Sequence, residues 1–217
     1  MKQPLIKNRR QMLVGSAASL VTTVFVSGIM PAGPAHADEA ANDAELHIER
    51  MILSAKSLLD IDNGDPQARA MSVATLLDTY FDFPGITRFS SGQYWRAANA
   101  AEREEYEKAL REVIISTVVR NFDQLKGLEY AHKVSTRKGN KLVLVTGEFS
   151  DATGVRPPVT VNWRVTTLPD KPPLVLDIEV QNISMLVTQK QENIAIIRQN
   201  KGNFSALIEA MREKNAE

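Results

Sequence analysis

The chain of 217 residues contains no cysteine. An oxidising compartment has nothing to oxidise, and the fold must hold together by its core alone. Neither sign of charge is in excess, with 26 basic residues against 26 acidic ones. Histidine is scarce, at three residues, and His47 and His132 stand far apart in sequence. A metal site needs several converging ligands, so each reads as a surface or internally satisfied side chain, and no metal or cofactor is expected. No Gly-x-Ser-x-Gly, phosphate loop or dinucleotide fingerprint occurs. A single long apolar run is present, and it lies at the start.

That run belongs to an export signal over residues 1–37. Lys2, Lys7, Arg9 and Arg10 give a positive start, and a weakly apolar stretch from Met12 to Met30 follows. Pro31 and Pro34 then precede the small-residue triplet Ala35-His36-Ala37. Charge, apolar core and Ala-x-Ala in that order predict cleavage after Ala37. The polar and small residues within the run argue against a retained anchor. Arg9-Arg10 also forms a twin-arginine pair before the apolar stretch, while paired arginines occur in ordinary signals too, so both export routes stay open. Removing the signal leaves 22 basic against 26 acidic residues, a formal charge of −4. Phosphate backbones need a basic surface, which excludes nucleic acid as a natural partner. Residues 38–217 are long enough for one domain with a substantial core, expected to be soluble in the periplasm.

Hydrophobic periodicity divides this domain into helices and then strands. From Asn42, with Glu45 three residues on as a capping box, Ile48, Met51, Ile52, Ala55, Leu58 and Leu59 repeat at helical spacing. Asp65-Pro66 opens a second helix whose buried face is expected to be Met71, Ala74, Leu77 and Phe81. Asp82-Phe83-Pro84-Gly85-Ile86 reads as a short third helix. Asn99 and Glu102 form another capping box, opening a helix to about Leu125 that is apolar on most sides near its end. After Gly127 the period becomes two. Leu128–Ser135 and Lys141–Ser150 flank a turn at residues 137–140. Val159, Val161, Trp163 and Val165 then share one strand face, and Leu174, Leu176, Ile178 and Val180 share another. Ser184 caps a helix through Ile197, and Phe204, Leu207, Ile208 and Met211 mark a last one. The expected class is α+β, a curved antiparallel sheet of about four strands packed against helices.

Candidate chemistry is thin. Glu102, Glu104, Glu105 and Glu107 read as a solvated helix face. Asp177, or Tyr94, could act as acid or base in a small enzyme on a sheet-and-helix cone, but Asp177 alternates away from Leu176 and Ile178. The abundant material is aliphatic and aromatic. The end of the fourth helix, the inner sheet face and the ring-bearing residues around the third helix (Tyr80, Phe81, Phe83, Phe89, Tyr94, Trp95) are expected to converge on one large apolar interior.

The motif order resembles the MlaC family of periplasmic phospholipid-binding proteins, also called toluene-tolerance proteins. The resemblance rests on 76-LLDTYFDF-83, 92-GQYWR-96, 177-DIEV-180, 183-ISM-185, 188-TQK-190, 194-IAII-197 and 202-GNFSALI-208. Two departures stand out: Ser90-Ser91 in place of an apolar pair, and Gln181-Asn182 in place of a pair ending in glycine. The resemblance implies a carrier that holds acyl tails in a lipid-sized apolar cavity between sheet and helices. It also implies shuttling between an inner-membrane ABC transporter complex and an outer-membrane lipoprotein complex, with a monomer expected. The predicted faces, rather than the family, nominate the tail-contacting residues: Val113, Thr117, Val118, Phe122, Val161, Trp163, Val165, Ile178 and Val180. Phe83, Ile86, Tyr94 and Trp95 are the expected mouth. Three other readings stay open at this point: a carrier of hopanoid or another polycyclic lipid, the cone-fold enzyme, and an adaptor that carries nothing.

Overall fold

A computed structural model describes residues 35–216. Residues 1–34 of the expected export signal, its twin-arginine pair among them, lie outside the described residues, and the expected boundary after Ala37 falls close to the first described residue. Six helices and five strands follow one another as helices, sheet, helices. Helix α1 spans Ala35–Ile61. It begins upstream of the expected start at Asn42, because the Ala-rich segment before that residue has high helix propensity and no breaker. The Asn42/Glu45 capping box is therefore not used. Glu45 instead reaches the sheet, 3.1 Å from His132 Nδ1 and accepting a hydrogen bond from Ser135 Oγ.

Helix α2 spans Pro66–Tyr80 and is capped by Asp65, whose side chain accepts from the Gln67 N–H. Val73 and Leu77 are its buried residues, whereas Met71 is 63 % exposed. Leu77 is buried as expected, while the rest of the buried face is shifted around the helix from Met71 to Val73, since α2 must meet neighbours on two sides. Asp62, at the end of α1, receives a two-pronged contact from Arg69 of α2, with both N–O distances 2.6 Å. That guanidinium holds the Asp62 carboxyl far below the usual carboxylate range. Helix α3 spans Phe83–Ser90, with Asp82 accepting from the Gly85 N–H. Helix α4, Ala100–Arg120, opens on the expected capping box of Asn99 and Glu102, formed in both directions. It ends before Leu125: Asn121 closes it, and a separate 3-10 turn covers Phe122–Leu125.

Strands β1 (Leu128–Arg137), β2 (Leu142–Asp151), β3 (Val159–Thr166), β4 (Leu174–Val180) and β5 (Ile183–Ser184) pair antiparallel in sequence order. The two-residue β5 goes beyond the four strands that periodicity marks. Gln181 and Asn182 link it to β4, both at positive φ (50° and 65°), as a two-residue hairpin turn requires. Asn tolerates that region well and Gln less so. Helix α5 (Met185–Gln199) is capped by Ser184, and α6 is Ser205–Ala216.

Strand β4 departs from simple alternation. Arg164 lies opposite Asp177, but the next residue, Val165, lies opposite Val175. Leu176 is an extra, bulged residue. Val175 therefore joins Val165 on the inner face, fully buried, and Leu176 packs with the helices instead. This corrects the expected shared face of Leu174, Leu176, Ile178 and Val180. The carboxylate of Asp177, 5 % exposed, accepts from Ser184 Oγ at 2.6 Å and from the Leu186 N–H at 2.9 Å. Its oxygens are thus committed to holding the start of α5.

The core forms three clusters rather than one. Ile86, Tyr106, Leu110, Val113, Ile197, Phe204 and Leu207 lie among α3 to α6. Ala44, Ile48 and Met51 of α1 cover the sheet. Val73, Leu77, Phe83 and Phe122 join α2 to the end of α4. Phe81 packs against all three. Inside the first cluster, Tyr106 Oη receives Asn193 Nδ2–H at 2.7 Å and lies 2.7 Å from Ser90 Oγ. Asn193 also donates to the Ser90 carbonyl at 3.1 Å. The unusual Ser90 is thereby explained: it is a polar member of a buried network tying α3, α4 and α5 together, and burial pushes the Tyr106 hydroxyl well above its ordinary pKa.

Three outcomes follow for this framework. Tyr106→Phe should cost about 1–2 kcal/mol by stranding Asn193 and Ser90, read as a fall of roughly 2–8 °C in Tm. Asp177→Ala should speed amide exchange at Leu186 and Val187 and lower stability by about 1–3 kcal/mol, because the buried Leu186 N–H loses its acceptor. His47, 3.1 Å from the Tyr80 carbonyl, has its pKa lowered chiefly by burial. The folded protein then binds that proton more weakly than the unfolded chain. Stability should fall as pH drops below the ordinary histidine value and level off below the folded one. In thermal melts across that range, His47→Gln should flatten the pH dependence.

Candidate functional site

The inner face of the sheet is sealed at one end and half open at the other. Val143, Val145, Val165 and Val175 are at 0 % exposure, covered through α1. At the end where β2 closes and β3 begins, Tyr130, Phe149, Val159 and Val180 are only half-buried. Val161, Trp163 and Ile178 lie between the two regimes. Large apolar side chains left half-covered on a concave, otherwise sealed face mark the place where an apolar guest gains most from contact.

Three rings shape this end. Tyr130 and Phe149 sit 5.2 Å apart between centroids, and Trp163 meets them edge-on at 6.5 and 6.4 Å. Gly147 makes room for them, because a Cβ there would overlap the phenol end of Tyr130. Burial pushes the Tyr130 hydroxyl up to about 12, with the nearby Trp163 N–H working the other way. The indole N–H nevertheless lies outside hydrogen-bond geometry with the phenol oxygen.

The residues nominated from sequence separate into groups. Val161, Trp163, Val165, Ile178 and Val180 do share the inner face, with Val165 at the sealed end. The α4 set does not join them. Val113 is buried among α3 to α6, while Phe122 and half-buried Val118 belong to the cluster with α2. Thr117 is exposed, its hydroxyl donating to the Val113 carbonyl at 2.7 Å. The physical reason is that α1, rather than α4, lies across the strands. The expected mouth is likewise divided. Phe83 is core of the α2–α4 cluster and Ile86 of the other helical cluster, and Tyr94 and Trp95 pack against that second cluster. Trp95 is further held by Arg103, stacked 5.2 Å from its ring and donating to its carbonyl at 3.0 Å.

Tyr130, Gly147 and Phe149 were not singled out from sequence. Their signal was available: Val143, Val145, Gly147 and Phe149 keep period-two phase along β2, and a glycine in that phase marks close approach by a neighbour. A separate open cleft of about 570 Å³ lies at the opposite end of the sheet, lined by Arg88, Phe89, Lys141, Leu168, Leu176 and Lys190 among others. Among the described residues, no helix is long and apolar enough to cross a membrane, and no group of three or more His, Cys, Asp or Glu could hold a metal ion.

Comparison with known proteins agrees with this architecture. A solved structure of a phospholipid-binding protein from Ralstonia solanacearum, in complex with a phospholipid, has the same fold at a TM-score of 0.68 and 21 % identity. The match covers 80 % of this chain and 97 % of that one. No curated protein matches. The family model described as MlaC protein matches residues 47–213. The chain, matched over most of its length, belongs to the MlaC family.

Proposed function

We propose that this protein is a periplasmic phospholipid carrier that holds acyl tails against the half-open end of its inner sheet face. The single observation that carries the reading is that graded face, built in a member of a family whose fold is shared by a phospholipid-bound neighbour. Cargo would enter past Tyr130, Phe149, Val159 and Val180 and meet Val161, Trp163 and Ile178. Each buried methylene is worth about 0.8 kcal/mol, so two ordinary tails represent roughly 25 kcal/mol of apolar burial. Bare tails cannot cross water at a useful rate. A carrier must match the bilayer without exceeding it, or release fails, and aliphatic and aromatic walls meet that demand.

The same reading extends to the whole chain. Residues 1–37 serve as the export signal, and 38–217 form the single carrier domain, working as a monomer. It exchanges cargo with an inner-membrane ABC transporter complex and an outer-membrane lipoprotein complex. A carrier rather than an enzyme is supported by the use of Asp177, the leading acid–base candidate, as the acceptor for the start of α5.

Native mass spectrometry of the protein from an exporting host tests this directly. The wild type should carry a diacyl lipid in near-stoichiometric amount. Val180→Glu, at the half-buried rim, and Val161→Glu, deeper on the same face, should lose that mass while Val180→Glu still melts cooperatively. An empty wild-type protein, or undiminished cargo in both variants, would count against the reading.

A further inference from the structure

Three side-chain polar atoms among the described residues are buried without a hydrogen-bond partner: Tyr130 Oη, Trp163 Nε1 and Thr167 Oγ1. Thr167 stands by itself beyond the end of β3. The other two are neighbours on the inner face, at its half-open end, with ring centroids 6.5 Å apart. Trp163 is 6 % exposed. Buried donors are nearly always paired, since an unmade bond forfeits the water the group gave up. Phenylalanine at either position would line this face without that penalty, so the two polar atoms call for an account of their own.

Their chemistry defines the complement. An indole N–H only donates, while a phenol at ordinary pH donates one bond and can accept another. The Trp163 N–H lies near the phenol oxygen but outside hydrogen-bond geometry with it, so both donors remain available. Both point to one acceptor able to take two bonds. A charged acceptor fits poorly, because an anion placed in this apolar setting would be heavily desolvated. The carboxylates of Glu45 and Glu49 already impose negative potential on Tyr130, which further disfavours a phosphate. A neutral carbonyl oxygen with two lone pairs fits. In a diacyl lipid such a group occurs where each tail joins the glycerol, at the boundary between the part that must be buried and the part that stays wet.

We propose that Tyr130 Oη and Trp163 Nε1 together donate to an acyl-ester carbonyl of the cargo, making the protein selective for ester-linked lipids. This rests on the carrier reading above. The pair fixes how deep the tails go: hydrocarbon passes inward toward Val161 and Ile178, and the headgroup remains outside the rim of Phe149, Val159 and Val180. Selectivity arises because a lipid lacking the carbonyl leaves both donors buried and unmade.

The test compares diester phosphatidylglycerol with its diether counterpart, of equal chain length, in competition for the delipidated full chain. The wild type should favour the diester by about ten-fold or more. Tyr130→Phe and Trp163→Phe should each shrink that preference and the double variant should bring it close to one, the readout being the diester-to-diether ratio within each variant. Equal uptake of both lipids by the wild type, or a preference that survives the double variant, overturns the proposal while leaving the carrier reading in place. Failure of the wild type to take either lipid overturns the carrier reading itself. The free Tyr130→Phe protein should melt no lower than the wild type, because no bond is lost. A clear drop would mean that the hydroxyl has a partner in the free protein, which also overturns the proposal.

Discussion

The extra residue in β4 is the constraint on which the arrangement of sheet and helices depends. A strand of strict alternation would offer Val175 and Asp177 to the same side. The bulge at Leu176 breaks that phase, so Val175 seals the inner face beside Val165 while Leu176 and Asp177 serve the helices. The free edge of the same strand also takes up the α2–α3 junction, where the Asp82 N–H donates to the Val175 carbonyl at 2.9 Å. Asp177 then binds the first turn of α5. Helices from both flanks of the sheet in sequence are thereby anchored to one strand, within three residues.

A second consequence is the uneven cover of the sheet. Helix α1 lies over the strands and brings Ala44, Ile48 and Met51 onto one end. The tie of Glu45 to His132 and Ser135, both on the edge strand β1, sets where the helix lies. At the far end the inner face is left with aromatic rings and valines that no element fully covers. A rigid, fully buried end beside a half-open one suits the carriage of a flexible apolar guest. The sealed part maintains the fold, and the open part can lose and regain contacts without disturbing it. The buried network of Tyr106, Ser90 and Asn193 has the complementary role. It fixes α3, α4 and α5 to one another within a cluster distinct from the one on the sheet.

Much of this was legible in the order of residues, for physical reasons that are local. Asp65-Pro66, Asn99 with Glu102, and Ser184 satisfy helix-end N–H groups within a few positions, and each cap formed as expected. The alternation of Val159, Val161, Trp163 and Val165 reports a half-buried strand because side-chain direction in a strand follows from the backbone alone. The order of motifs was enough to recognise the family. Features that depend on which surfaces meet were not legible. The rotation of α2 that exposes Met71, the early start of α1, and the division of the α4 residues from the sheet all follow from pairwise packing that no single segment encodes.

The sequence by itself determined the class of the fold, the limits of most elements and the apolar character of the interior. Each of these follows from propensity, capping and periodicity acting over a few residues. Only the tertiary structure decided which helix covers the sheet, where β4 changes phase, and that Tyr130, Gly147, Phe149 and Trp163 gather at one half-open end. These are outcomes of contacts between residues tens of positions apart, and the competition among apolar faces for the same partner is settled only when all of them are present at once.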